Sequence, residues 1–258
     1  MGKEKIEIND FGVFFDTLKA FSKLNESVKL EFSETGLGIY GKNSYSRIEI
    51  LSDALTATGK CAICIKDLQM FLKILNTIKE VHQDDYTGLD FTFDGQFINF
   101  KSKKFKTKLI TCDEEKITNF VSKPIHTVLN PVLEFTTNSQ IIKTINNHSF
   151  IFSDPDAARV YLKTDSEMEN NVIYANIGNK ENNLNNSLTL KFGLINFGEL
   201  KTREITLDFK RLNAFNIVQS NEIKISLMDR NVLVYDFKIV GKQGNFSAVK
   251  VLNSIKKD

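Results

Sequence analysis

Cysteine, proline and histidine are scarce in this 258-residue sequence, at three of each. Three thiols, Cys61, Cys64 and Cys112, are too few for a disulfide scaffold, so a reducing compartment is expected. With so few prolines and only 13 glycines, collagen-like and disordered classes are excluded. No run approaches the roughly 18 uninterrupted apolar residues of a membrane span. The opening residues, MGKEKIEIND, lack the apolar region of a secretory signal, and a soluble cytoplasmic protein is the expectation. An excess of one charge is missing too: 34 Lys and Arg face 32 Asp and Glu, a formal +2. A balanced sum does not exclude nucleic acid, because binding depends on where the charge sits. What is present is an ordinary globular composition, long enough for one large domain or two medium ones.

Most segments alternate apolar and polar residues, as in Lys29 to Phe32, Leu89 to Phe93 and Ile223 to Leu227, so the chain is mainly β. Four segments instead space apolar residues three and four apart and are expected to be helices: Phe11 to Leu24, Lys66 to Ile78, Asn138 to Asn147 and Lys210 to Gln219. Each follows an alternating run and precedes several more, so a strand-helix-strand-strand-strand unit recurs along the chain, twice in each half. The second and fourth helices are spaced more widely than the first and third. The Asn-rich stretch Glu167 to Ser187 accounts for the excess as an insertion of surface connections around one short strand. Asp113 to Pro131 has no clear period and holds two of the prolines. The expected organisation is a first domain over 1–113, a connector over 114–131 and a second domain over 132–258.

Enzyme-like motifs fail on context. Gly36 to Lys42 meets the first seven positions of a phosphate-cradling loop, but Asn43 replaces the magnesium-holding Ser or Thr and a strand pattern follows where a helix is needed. A glycine-punctuated hairpin is the better reading. Cys61 and Cys64 match C-x-x-C within a strand pattern, where positions three apart face opposite sides. His82, His126 and His148 are scattered, and no zinc set or nucleophile pair is indicated. Asp84-Asp85 and Asp154-Pro155-Asp156 read as turns. Nothing assembles a nucleophile, base and oxyanion donor, so no enzyme, no cofactor and no metal site are expected.

The helix faces carry the positive signal. Opposite Phe11, Phe14, Phe15, Leu18 and Phe21 project Asp16, Lys19 and Lys23. Opposite Leu68, Phe71, Leu75 and Ile78 project Lys66, Gln69, Lys73 and Asn76. The third helix sets Gln140, Lys143 and Asn147 against Ile141, Ile142 and Ile145, and the fourth sets Lys210, Asn213 and Asn216 against Leu212, Phe215 and Val218. Lysines and amides dominate these stripes, with Asp16 the one acid, although the chain as a whole is balanced. Such a face suits sequence-independent contact with phosphate, and the lack of interleaved aromatics favours a duplex over a single strand.

Two segments carry a family resemblance: Ile65-Lys66-Asp67-Leu68-Gln69-Met70-Phe71-Leu72-Lys73-Ile74-Leu75, entering the second helix, and Gly241-Lys242-Gln243-Gly244-Asn245-Phe246-Ser247-Ala248 before the last strand. With four repeats of helix plus strands, the chain resembles the DNA sliding clamps, the polymerase processivity factors of the proliferating cell nuclear antigen kind, and particularly the T-even phage type. The resemblance implies an α+β DNA clamp fold: two similar domains, each a duplicated strand-helix-strand-strand-strand unit, with helices on the inner face of a ring and sheets outside. It implies a non-catalytic protein of DNA replication that encircles duplex DNA without sequence specificity and tethers the replicative polymerase. A clamp-loader ATPase is the further implied partner, and the host-cell cytoplasm the site of action if the protein is phage-encoded. Because clamp rings have six domains, a two-domain chain implies a homotrimer. The alternatives are a monomeric factor that binds DNA through its basic face, and a nucleotide-dependent enzyme built on Gly36 to Lys42.

Carried over by position, Lys19, Lys23, Lys66, Lys73, Lys143 and Lys210 would face DNA. The protomer contact would join an edge near Phe105 and Leu109 to one near Val172, Tyr174 and Ile177, with Lys101, Lys103, Lys104, Lys106 and Lys108 guarding the open edge. A partner's hydrophobic peptide would dock among Ile117, Phe120, Val121, Val128, Leu129, Val251, Leu252 and Ile255.

Overall fold

The computed structural model describes residues 3–42, 46–117, 130–149, 159–163, 171–178, 188–198, 205–207, 222–229, 232–242 and 244–254. The chain divides into two compact units: Met1–His126 with Lys238–Lys250, and Thr127–Phe237 with Val251–Asp258.

The first unit runs β1 (Glu4–Ile8), α1 (Phe11–Phe21), β2 (Val28–Ser33), β3 (Gly36–Lys42), β4 (Ser46–Ser52), β5 (Leu55–Ala57), β6 (Cys61–Ile65), α2 (Leu68–His82), β7 (Asp90–Phe93), β8 (Phe97–Lys101) and β9 (Lys106–Ile110). The strand-helix-strand-strand-strand order therefore occurs twice, with short β5 between the copies. One antiparallel sheet has the order β5-β1-β7-β8-β9, and β6-β2-β3-β4 are neighbours in another. Gly36 to Lys42, the loop-like glycine motif, is β3, hydrogen-bonded between β2 and β4. Gly36 opens it at φ +147°, where any Cβ would collide with the Ser52 carbonyl.

Both helices start on an aspartate. Asp10 Oδ1 accepts from Val13 N–H at 2.9 Å and Asp67 Oδ1 from Met70 N–H at 2.8 Å, each satisfying an orphan donor of the first turn. The helix boundaries differ from the sequence expectation for this reason. Lys66 precedes the cap of α2 and is not on the helix, while α2 continues past Ile78 to His82 and stops where Gln83 turns left-handed at φ 51°. Similarly α1 ends at Phe21, leaving Lys23 in the following turn.

The first unit's core is a chain of phenylalanine rings crossing both helices and both sheets. Phe14 of α1 meets Phe71 of α2 edge-on at 6.4 Å; Phe71 then meets Phe100, Phe100 meets Phe91, and Phe91 meets Phe32 of β2. A buried hydroxyl relay adds direction to this apolar packing: Thr17 donates to Ser247 Oγ and Ser247 to Ser52 Oγ, each at 2.7 Å. The three hydroxyls of the relay are thereby paired in an interior where an unpaired one would cost about 1–3 kcal/mol.

The second unit runs β10 (Pro131–Thr137), α3 (Ser139–Ser149), β11 (Arg159–Lys163), β12 (Val172–Gly178), β13 (Leu188–Gly198), β14 (Ile205–Leu207), β15 (Ile223–Met228), β16 (Val232–Val240) and β17 (Phe246–Ser254). Its strands are ordered β14-β11-β12-β13-β10-β15-β16. Asn138 Oδ1 caps α3 by accepting from Ile141 N–H, and Ile142 and Ile145 are its buried face. Residues 238–240 of β16 and 246–250 of β17 belong to the first unit, where β17 runs beside β4. The fourth expected helix, Lys210 to Gln219, lies outside the described residues.

Candidate nucleic-acid interface

α1 is apolar on nearly every side. Of its polar residues Lys19 is exposed and Asp16 half-buried, while Thr17 is taken inward by the hydroxyl relay. The solvent face is broader on α2, where Gln69, Lys73, Asn76, Thr77 and Glu80 are exposed. The two helices pack through Phe14 and Phe71, so Lys19 and Lys73 belong to one packed pair of helices.

Two residues of this face were missed because the expected helix stopped at Ile78. Lys79 lies with Nζ 5.2 Å from the centre of the Phe15 ring, a cation held over an aromatic face. Glu80 is a second acid on the polar side; its Oε1 accepts from Asn76 Nδ2 at 2.7 Å. The signal was available: His82 continues the apolar spacing from Ile78, and Asp67 is a standard cap residue. Asp16 is held above the usual carboxylate range, chiefly by burial, against the opposing pull of Lys79 and Lys19. The face therefore presents Lys19, Lys73 and Lys79 with amide and hydroxyl donors, and its acids are half-buried or hydrogen-bonded. Ammonium and amide groups in this arrangement can neutralise and position phosphates and carry no means of reading bases.

The other expected contacts are dispersed. Lys66 is exposed at the β6–α2 junction, close enough to Cys112 to act on its thiol. Lys23 is exposed after α1, Lys143 is half-exposed on α3 of the second unit, and Lys210 lies outside the described residues.

β9 is the terminal strand of its sheet. Leu109 is buried and Phe105 half-buried, while Lys106, Lys108 and Ile110 are exposed and Lys108 Nζ sits 3.4 Å over the Phe97 ring. The opposite edge requires correction. Val172, Tyr174 and Ile177 lie on β12, which is hydrogen-bonded to β11 on one side and β13 on the other, and all three are buried. A strand paired on both sides has no free backbone groups to offer. Of the expected peptide-docking residues, Ile117, Val251 and Leu252 are buried, and Phe120, Val121, Val128, Leu129 and Ile255 lie outside the described residues.

Among the enzyme-like features, Asp84 and Asp85 form the turn after α2, and Asp85 Oδ1 accepts from Thr87 N–H. His82 is a satisfied core histidine: Nδ1 donates to the Asp85 carbonyl, and Nε2 is hydrogen-bonded with the Ser102 hydroxyl at 3.1 Å. Cys61 and Cys64 lie on β6 as free thiols. Asp154 and Asp156 lie outside the described residues.

No family model and no curated protein matches this sequence. Solved structures do match along its whole length. Proliferating cellular nuclear antigen (PCNA) from Entamoeba histolytica superposes with a TM-score of 0.69 at 15% identity, covering 99% of each chain. A. fulgidus PCNA, solved with the C-terminal region of FEN-1 bound, gives 0.72 at 14% identity, covering 100% of this chain and 99% of that one. The PCNA2–PCNA3 complex from Sulfolobus tokodaii gives 0.63 at 12% identity, covering 98% and 99%. The chain therefore has the α+β clamp fold of PCNA.

Proposed function

We propose that this protein is a DNA sliding clamp, a homotrimeric ring that encircles duplex DNA and tethers the replicative polymerase without catalysis or a cofactor. The observation that carries this reading is the clamp fold along the full chain, joined to a lysine-bearing face on α1 and α2. Lys19, Lys23, Lys66, Lys73, Lys143 and Lys210, with Lys79 added, supply the phosphate contacts. A clamp-loader ATPase opens the ring, and replication enzymes dock as the FEN-1 segment does on the A. fulgidus protein. The segments Ile65 to Leu75 and Gly241 to Ala248 favour the T-even phage type, which would work in the host-cell cytoplasm. The proposed domain plan along the chain is 1–113, a connector over 114–131, and 132–258, of which Lys238–Lys250 group with the first compact unit.

The internal repeat suggests how the ring closes. In the first unit β17, the last strand of its quarter of the chain, runs beside β4, the third strand after α1. β9 is likewise the last strand of its quarter, and β13 is the third strand after α3. Pairing β9 with residues 188–193 of a neighbouring copy's β13, the stretch that β10 does not pair, reproduces the β17–β4 contact between chains and covers an exposed edge.

Light scattering across a dilution series tests the reading. A mass of three chains that falls to one on dilution is the expected result. A mass of one chain at every concentration favours the basic-face factor that binds without encircling.

A further inference from the structure

Two of the three cysteines come together where β6 meets the segment leaving β9. Cys64 is buried on β6, the terminal strand of its sheet, and Cys112 is half-buried two residues beyond β9. The Cys112 N–H donates to the Cys64 carbonyl at 3.0 Å, and Cys112 Sγ lies 3.5 Å from the same oxygen. Opposed residues joined by a backbone hydrogen bond have Cα atoms about 5.5 Å apart, within the roughly 4.4–6.8 Å that a disulfide spans. Cys61, three positions back along β6, faces the other side of the strand, so the C-x-x-C spacing names the wrong pair.

We propose that Cys64 and Cys112 form a reversible intramolecular disulfide that ties β6 to the segment leaving β9. The oxidant is a low-molecular-weight disulfide. The thiolate of Cys112, the more exposed of the two, attacks one sulfur of the reagent, forming a mixed disulfide and expelling one thiolate. The Cys64 thiolate then attacks Cys112 Sγ and expels the second. Two thiols are oxidised to one S–S bond, two electrons reduce the reagent, and the two protons lost by the protein are taken up by the expelled thiolates.

Burial is the main reason both thiols are held above their ordinary value, Cys64 at about 11. Around Cys112, Lys116 and Lys66 oppose Asp113; around Cys64, Cys112, Glu114 and Asp113 add to the effect of burial and Lys29 opposes them. Thiolate is therefore scarce at neutral pH, and exchange accelerates as the pH rises. The bond joins positions 48 apart and encloses α2 and β7 to β9. It reinforces a second tie to the same segment, in which Lys29 Nζ pairs with Glu114 at 2.9 Å and with Glu31 at 3.0 Å.

The test exposes the full chain to oxidised glutathione, alkylates it under denaturing conditions and maps the unreduced peptides. The expected product is a single Cys64–Cys112 link with Cys61 alkylated, formed about ten-fold or more faster near pH 9 than near pH 7 and reversed by dithiothreitol. The oxidised protein melts at a higher temperature than the reduced one, because the crosslink constrains the unfolded chain. Cys112→Ser melts like the reduced protein and yields no link. A Cys61–Cys64 link, a lasting glutathione adduct on Cys112, or three free thiols after prolonged exposure overturns the proposal.

Discussion

Asp16 is half-buried against Lys79 and Lys19, yet burial outweighs their attraction and raises its carboxyl above the ordinary value. The folded state thus holds this proton more tightly than the unfolded chain. Its contribution to stability is fully present below the unfolded value of about 3.9 and is lost as the pH rises through the higher folded value. Asp16→Asn is therefore expected to raise stability at neutral pH, with the gain disappearing below about pH 4 in urea titrations across pH. A less stable Asn variant at pH 7 would show that lysine attraction wins. A steric prediction concerns Gly241. A Cβ there would run into the Asp10 carboxylate that caps α1, and into Val13. Gly241→Ala should cost about 1–3 kcal/mol by overpacking, and Asp10→Ala about 1 kcal/mol by loss of the cap. The double variant should be less destabilised than the sum of the two, because shortening Asp10 makes room; strict additivity would refute the contact. Of these residues Asp16 was legible as part of a polar stripe, but its burial was not. The meeting of Asp10 and Gly241 joins positions at opposite ends of the sequence.

At the level of elements, periodicity located α1, α2 and α3 to within a few residues, because an apolar stripe is a local property of sequence. Their ends depended on particular side chains: Asp67 capping α2, and Gln83 in the left-handed conformation stopping it. That shift removed Lys66 from the helix face and brought in Lys79 and Glu80. The lysine face makes the third prediction. Replacing Lys19, Lys23, Lys73 and Lys143 by Ala should weaken binding to duplex DNA of any sequence, and should lower the slope of log affinity against log salt by up to about 0.9 for each lysine that meets a phosphate. A control replacing Lys5, Lys60 and Lys250, exposed residues away from both helices, should keep the slope. Equal effects of the two variants would refute the helix face as the interface. The β3 glycines show the converse legibility. Their strand context was readable because Asn43 and the alternation after it already spoke against a phosphate loop.

For the whole molecule, a closed ring holds DNA by topology, and salt screens contacts without opening a loop of protein. Loaded on nicked circular duplex by a clamp-loader ATPase, the protein should stay bound in salt that strips it from the same DNA once linearised. Equal release from both forms would leave only a basic-face mode of binding. Composition and periodicity by themselves determined a mainly β chain interrupted by helices in a recurring helix-strand unit, since each depends on residues close together in sequence. Only the tertiary structure decided that β9 is an edge while β12 is an interior strand, and that Cys64 meets Cys112 rather than Cys61. Those outcomes depend on which distant segments share backbone hydrogen bonds. An alternating pattern marks a strand's two faces but leaves its neighbours unnamed.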